Sequence, residues 1–488
     1  MHRITPATTA SLFGIEATRR VEHAAAATLP PHTLMQRAGL AVARLAMAIA
    51  PHARTVWIAC GPGNNGGDGL EAAAQLKQRG FAPVVTWLGH EGNAPPDALA
   101  SLQRARAAGV AFAEAPPERW DLAVDALLGI GASRAPEGTM ADWLQRMHAA
   151  ASPVLSVDVP SSLNAESGAA AMEATAPGAR GTGAAARFCL SLLTLKPGLF
   201  TAQGRDAAGE VWLDDLGCSA FDAVPVAWLA GAPAARTRLQ AAHKGSYGDV
   251  AVIGGAPGMA GAALLAASAA LHAGAGRVFA GLLDSKVALD TSQPELMVRD
   301  PATLDVGAMT VVCGCGGGAA VRGVLPRVIS TAQRLVIDAD ALNAIALDPG
   351  LQTLLAARGR RRQPTVLTPH PLEAARLLDI GTAAVQADRL GAAQKLADRF
   401  GAVVVLKGSG TVVAAPGALP SINLSGNARL ASAGTGDVLA GMVGAALASG
   451  LLPALDATRD AVWHHGDLAD HWPADAPLTA GALARGGR

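Results

Sequence analysis

The residues best suited to chemistry lie near the C-terminal end, where Ala433-Gly434-Thr435-Gly436-Asp437 runs directly into Val438-Leu439-Ala440-Gly441. Small residues let backbone amides approach an anion, and the apolar run predicts a buried helix whose N-terminus favours negative charge. Gly434, Thr435 and Gly436 therefore read as an oxyanion or phosphate site. A carboxylate at that place repels the anion unless it takes a proton from the group being phosphorylated, which makes Asp437 a general base. The same residues also fit a Gly-rich turn with Asp437 as an ordinary helix cap.

A second cluster, Gly61-Pro62-Gly63-Asn64-Asn65-Gly66-Gly67-Asp68-Gly69, holds five Gly, two Asn and one Asp between a β-rich run and a helix. This order presents N–H groups to a dinucleotide's phosphates, and the oxygens of Asn64, Asn65 and Asp68 can bind a cation or a ribose. Asp125 stands near the end of a predicted strand Leu122–Ala126, and Asp158 ends Pro153–Val159 just before Pro160-Ser161-Ser162. Strand ends in an open parallel sheet converge on one crevice, so Asn65, Asp125, Asp158 and Ser161 are expected as neighbours. In the second half, Lys407 can meet nucleotide phosphates as a point charge, with Gly408, Ser409, Gly410 and Thr411 offering amides. His370, between Pro369 and Pro371, is held in an extended segment that fixes its ring.

The elements that must position these groups follow from periodicity. Residues 11–50 form a long Ala-rich helical pattern. Arg54–Cys60 is a strand, the Gly cluster a loop, and a helix then runs to about Arg79. Strand Pro83–Leu88, helix Asp97–Ala108 and strands Phe188–Leu193 and Glu210–Leu213 complete a first α/β unit. A second unit has strands Val250–Ile253, Thr310–Cys313, Leu335–Ile337, Thr365–Leu367 and Ala402–Leu406, with helices Ala260–Ala273 and Val385–Phe400. Every polar or Gly cluster in it follows a strand, which sets them all on one sheet edge. The expected division is 1–224, a linker at 225–238, and 239–488, each domain an α/β, doubly wound, three-layer αβα fold.

At 488 residues, with 50% hydrophobic and 3% aromatic content, the chain needs more than one core and fits Ala-rich helices packed on sheets. Equal numbers of basic and acidic residues, 39 each, favour neither nucleic acid nor membrane surfaces. Five scattered cysteines lack zinc spacing, and charges at Arg3, Glu16, Arg19, Arg20 and Glu22 break any secretory pattern, so a cytoplasmic protein is expected. Val438–Leu455 reads as a buried helix in spite of its apolar length, since it contains three Gly and Pro453.

Taken in order and spacing, Gly63–Gly69, Asp125–Arg134, Val157–Ser161, His243–Gly248, Pro294–Met297, Val336–Asn343, Thr368–Glu373, Lys407–Thr411 and Ser425–Gly441 resemble the bifunctional NAD(P)H-hydrate repair enzymes. The resemblance covers nearly the whole chain. It implies an N-terminal Rossmann-like epimerase domain and a C-terminal ribokinase-like dehydratase domain. In that family the nicotinamide hydrates NADHX and NADPHX are interconverted between R and S forms. The S form is then dehydrated with a nucleoside phosphate as phosphoryl donor, usually ADP in bacterial-type fused members and ATP in eukaryotic ones, with Mg2+ accompanying the nucleotide; for this chain ADP is expected over ATP.

Carried onto this sequence, the resemblance makes Asn64, Asn65, Gly66, Gly67, Asp68 and Gly129, Ile130, Gly131, Ala132, Ser133, Arg134, Ala135 hydrate-binding. Asn65, Asp125 and Ser161 become potassium ligands and Asp158 the catalytic acid. In the second domain Ala262, Gly316 and His370 become hydrate contacts, and Lys407–Thr411 with Gly434–Gly436 the nucleotide site. A homo-oligomer is compatible with it. The chain departs from the family at Ser162, where glycine is expected and a side chain is set to crowd the cation loop or demand a different backbone angle, at Leu372, which can narrow the pocket, and at Ala433. A ribokinase-like small-molecule kinase with a lapsed, dinucleotide-sensing N-terminal domain is the alternative.

Overall fold

Strand Thr55–Cys60 shows why the first sheet is covered on both sides. Val56, Ile58 and Cys60 join one apolar cluster with helices Thr33–Ile49 and Asn64–Gln78, while Trp57 and Ala59 join another with Trp120 and Trp143. A strand buried on both faces reads as a continuous apolar run, and the helices that cover it make three layers. The computed structural model describes residues 1–131, 135–171, 185–220, 222–237, 240–284 and 286–486. Contacts divide the chain into two units: Met1–Thr5 with Ala10–Ala227, and Pro6–Thr9 with Trp228–Arg488.

In the first unit the chain lays Thr55–Cys60, then Ala82–Trp87 and Ala111–Phe112 outward to one side. It returns to set Leu122–Ala126 on the other flank of Thr55–Cys60 and continues through Val154–Val157, Arg187–Leu192 and Glu210–Asp214. All these pairings are parallel, and His2–Arg3 adds an antiparallel edge. The reversal beside Thr55–Cys60 opens a crevice at the carboxyl ends of the strands.

The second unit repeats the plan. Asp249–Gly254, Arg277–Leu282 and Met297–Arg299 run one way; Thr310–Cys313, Arg334–Ile337, Thr365–Leu367 and Val403–Leu406 run the other, all parallel. An antiparallel hairpin, Thr411–Ala415 with Ala418–Asn423, extends the sheet. Helices Ala260–His272 and Thr435–Ala448 bury an Ala-rich face on Val250, Val252, Val312 and Val336.

Several expectations change. Residues 11–50 hold two helices, Ile15–Ala26 and Thr33–Ile49, because Pro30-Pro31 removes two amide donors between them. Asn64–Gly69 is not loop but the opening of helix Asn64–Gln78. Its glycines serve packing: a Cβ on Gly67 would stand 2.8 Å from Met35 Cε and 2.9 Å from Ala98 Cα, and one on Gly69 2.6 Å from Ala126 Cβ. The helix expected over Val385–Phe400 is split into Thr382–Ala387 and Arg389–Phe400, with the Asp388 carboxylate accepting from Gly391 N at 2.8 Å to cap the second. Inside the expected linker, Ala227–Ala230 forms a strand parallel to Ala418–Asn423, since Ala227 and Leu229 are fully buried on its inner face. Helix Thr435–Ala448 is mostly buried, and among the described residues no helix is long and apolar enough to cross a membrane.

Candidate active sites

In the first unit, strand Leu122–Ala126 delivers Asp125 to its carboxyl end, where the carboxylate is buried and accepts from Ser161 N at 3.0 Å, Leu127 N at 3.3 Å and the Ser161 hydroxyl. Leu128 N donates to Ser161 Oγ at 2.9 Å, and Asn65 lies against Gly129, so all three groups meet around Leu127–Gly129. Burial raises the Asp125 pKa, opposed by these hydrogen bonds.

Asp158 follows strand Val154–Val157 with φ 67, a left-handed backbone that costs a non-glycine residue roughly 1–2 kcal/mol. It forms a buried ion pair with Lys196 and accepts from Leu192 N at 3.2 Å. Lys196, fully buried, also donates to Leu192 O at 2.7 Å. Beside this pair opens a cleft of about 720 Å³ lined by Asn64, Asn65, Asp68, Gly129, Ile130, Gly131 and Asp158, with Glu22 and Arg19 added from helix Ile15–Ala26. Asp68 is pushed well above the ordinary carboxylate range by burial and by Asp158, and Glu22 is raised for the same two reasons.

Gly66 and Gly67 sit buried beneath the cleft rather than in its wall, and Ala135 lies exposed outside it. Ala132, Ser133 and Arg134 fall outside the described residues. Ser162 has no left-handed backbone, so the angle feared there is not required; it is buried, and its carbonyl accepts from Ala171 N at 2.8 Å.

In the second unit, helix Thr435–Ala448 starts after Gly434, whose φ of 88 allows the tight entry; a Cβ there would stand 2.7 Å from Leu265 Cδ1. No side chain caps this end; Thr435 N donates to Ser432 O at 3.4 Å, and the first amides of a helix suit an anion. The Thr435 hydroxyl donates to Leu430 O at 2.7 Å, and buried His465 meets Thr435 O at 3.0 Å, holding the turn from behind.

Asp437 projects from the first turn toward Asp338 and Cys315, the three side-chain ligand atoms lying within 4.8 Å of one another. Burial and then Asp338 push the Asp437 pKa up to about 6. Lys407 Nζ donates to Asp338 Oδ1 at 2.7 Å, and Thr368 Oγ1 donates to the same oxygen at 2.8 Å. Burial would lower the Lys407 pKa, but Asp338 and Glu373 outweigh it and the net shift is upward. A Cβ on Gly436 would stand 3.3 Å from Lys407 Nζ, so the ammonium adjoins the helix entry.

Gly408–Thr411 continues from Lys407 into the hairpin. Gly316, at φ 58, packs so closely on helix Ala260–His272 that its Cβ would meet Ala262 Cβ at 2.9 Å. His370 caps helix Pro371–Leu378: Nδ1 accepts from Leu372 N at 3.2 Å and Glu373 N at 3.3 Å, while Glu373 accepts from His370 N at 2.8 Å. Leu372 follows His370 in the first turn of this helix and is 44% exposed.

Three residues of these sites were not among the sequence candidates. Asp338 ends a strand as Asp125 and Asp158 do, and the same rule would have selected it. Lys196 is the single cation in the apolar stretch Cys189–Phe200, a signal for a buried, paired charge. Glu22 carries no signal in sequence that separates it from a solvated helix face.

Both units present doubly wound sheets with polar groups gathered at the switch edge, one with a carboxylate cleft and the other with an amide-lined helix entry. Comparison with known proteins gives the family. Residues 31–198 match the family described as YjeF-related protein N-terminus, and residues 250–484 match NAD(P)H-hydrate dehydratase. A bifunctional NAD(P)H-hydrate repair enzyme from Escherichia coli is 39% identical over 467 residues, covering 90% of this chain and 85% of that one. An ADP-dependent (S)-NAD(P)H-hydrate dehydratase from Neisseria meningitidis is 44% identical over 257 residues, 51% of this chain and 85% of its own length. A solved Bacillus subtilis ADP/ATP-dependent NAD(P)H-hydrate dehydratase, co-crystallised with ATP and Mg2+, is 30% identical with a TM-score of 0.43, covering 51% of this chain and 91% of that one. The chain belongs to the bifunctional NAD(P)H-hydrate repair enzyme family.

Proposed function

We propose that the chain repairs hydrated NADH and NADPH in two steps, epimerising R and S NAD(P)HX and then dehydrating the S form with ADP. The observation that carries this reading is the Asp437 carboxylate beside an uncapped helix entry and the Lys407–Asp338 pair, on a chain that also holds the Asp158 cleft. Asp437 takes the proton of the 6-hydroxyl, whose oxygen attacks the β-phosphorus of ADP and releases AMP. The Gly434–Gly436 amides and Lys407 stabilise the charge on the transferred group. Loss of phosphate from C6 and of a proton from C5 restores the ring double bond, so the products are NAD(P)H, AMP and inorganic phosphate.

In the first unit, inversion at C6 proceeds by loss of the hydroxyl as water and its return to the other face of a planar C6=N+ centre. That needs a proton delivered to the leaving oxygen and withdrawn from the incoming one, the role given to Asp158 with Lys196 fixing its carboxylate. Asn64, Asn65, Asp68 and Gly129–Gly131 would hold the hydrate. The donors Asn65, Asp125 and Ser161 are all oxygen-bearing and fit a potassium ion. The buried Asn65 amide has an atom, Nδ2, with no partner, and a half-turn of the amide puts its oxygen there. Bound there, the ion would supply a fixed positive charge beside the cleft. Mg2+ would accompany the nucleotide, and a cytoplasmic site of action fits these substrates.

The test is recovery of reduced-nicotinamide absorbance from mixed R and S NADH hydrates with ADP, ATP or neither, in potassium and in sodium buffer. Complete recovery with ADP is expected. A stable phosphorylated product in place of free phosphate would instead establish the kinase alternative.

A further inference from the structure

The loop Lys407–Gly410 packs its backbone carbonyls on one buried side chain. Arg389, the first residue of helix Arg389–Phe400, is 2% exposed. Its Nη2 donates to Leu406 O and Lys407 O at 3.2 Å each and to Gly410 O at 3.4 Å; Nη1 donates to Gln386 Oε1 at 2.8 Å. A trans peptide holds its carbonyl and the following amide antiparallel, so a Lys407 carbonyl drawn onto the guanidinium sends the Gly408 N–H the other way. The Leu406–Lys407 peptide is pinned from both sides, since Lys407 N donates to Pro369 O at 2.9 Å.

Gly408 makes the approach possible. At φ 132 its backbone lies on the guanidinium, and a Cβ there would stand 3.1 Å from both Nη1 and Nη2. Gly410, at φ 64, closes the turn.

We propose that Arg389 is a positioning residue for the nucleotide: by drawing the carbonyls of Leu406, at the strand end, and of Lys407 and Gly410, in the loop, inward, it presents the opposing face of Lys407–Gly410 as a cradle for the phosphates of ADP. The proposal rests on reading Lys407–Thr411 as the nucleotide loop. Arg389 touches neither substrate; its effect passes through backbone orientation. Lysine cannot replace it, because one ammonium on a flexible stem does not reproduce the planar fork that spans these acceptors.

The experiment varies ADP and S-hydrate independently in R389K, R389M and G408A, and titrates ADP alone by calorimetry. KM and Kd for ADP are expected to rise about tenfold in R389M and several-fold in R389K. KM for the hydrate and the epimerase rate of the same chains should stay within twofold, the first reporting a folded second unit and the second an undisturbed first unit. G408A, which keeps the arginine but presses a methyl on it, should raise KM for ADP in the same way.

An R389M protein with unchanged KM and Kd for ADP would overturn the proposal whatever its melting temperature, since that is the result of a purely structural arginine. Equal rises in both KM values would overturn it too. If the unsubstituted protein binds ADP but dehydrates nothing, the functional reading fails, while the calorimetric comparison still decides the role of Arg389.

Discussion

Asp437 holds its proton further up the pH scale than a free carboxylate, and two measurable effects follow. As a base it must be ionised, so dehydration should rise tenfold per pH unit below about 6 and level off above. Asp437→Ala should lower dehydration by about 10²–10⁴-fold, with epimerisation intact in the same sample. Stability moves oppositely. Because the folded pKa exceeds the unfolded one near 3.8, the folded state binds the extra proton between these values, and stability falls as pH rises through that window. Asp437→Asn should therefore raise the melting temperature at pH 8 but not at pH 3.5, by an amount equivalent to no more than about 3 kcal/mol. Lys196 behaves differently: its removal strands the Asp158 carboxylate in a buried site. Lys196→Met should cost about 3–5 kcal/mol in the first unit and abolish epimerisation, read by thermal unfolding and by R-to-S conversion.

The helix Asn64–Gln78 shows how a chemical reading and a packing reading of one motif diverge. Its glycines allow the helix to lie against Gly61 and the sheet: a Cβ on Gly66 would drive into the Gly61 carbonyl, whereas one on Gly63 meets nothing within 4 Å. Gly66→Ala should destabilise the first unit by about 2 kcal/mol or more, because overpacking exceeds the roughly 1 kcal/mol of helix propensity gained. Gly63→Ala should stay within about 1 kcal/mol. Thermal melts of the two variants decide it. Period and turn chemistry made the parallel strands legible from sequence, since Leu122–Ala126 and Thr310–Cys313 are apolar runs ended by turn residues. The hairpin Thr411–Asn423 and strand Ala227–Ala230 were not legible, because their identity lies in pairing partners distant in sequence. The strand-end rule found Asp125, Asp158 and Ser161, which do meet or flank one crevice. It could not find Lys196, whose role depends on the carboxylate opposite.

For the whole molecule, two active sites on one chain need not act on the same copy. A chain carrying Asp158→Asn mixed with one carrying Asp437→Ala should recover the full absorbance of an R and S hydrate mixture, at a rate rising with total protein. Either variant alone should stop short: at the S fraction for the first, with no recovery for the second. Incomplete recovery in the mixture would mean that the hydrate passes between sites without release. The strand Ala227–Ala230 carries a different consequence, one about time. It enters the second unit's sheet beside Ala418–Asn423, a partner made roughly two hundred residues later in the chain. During synthesis it has no seat until that hairpin has emerged, so the strand that is among the first of its unit to leave the ribosome must be among the last to dock. Closing so long a loop is slow, and until it closes the outer edge of Ala418–Asn423 stays unpaired and open to other chains.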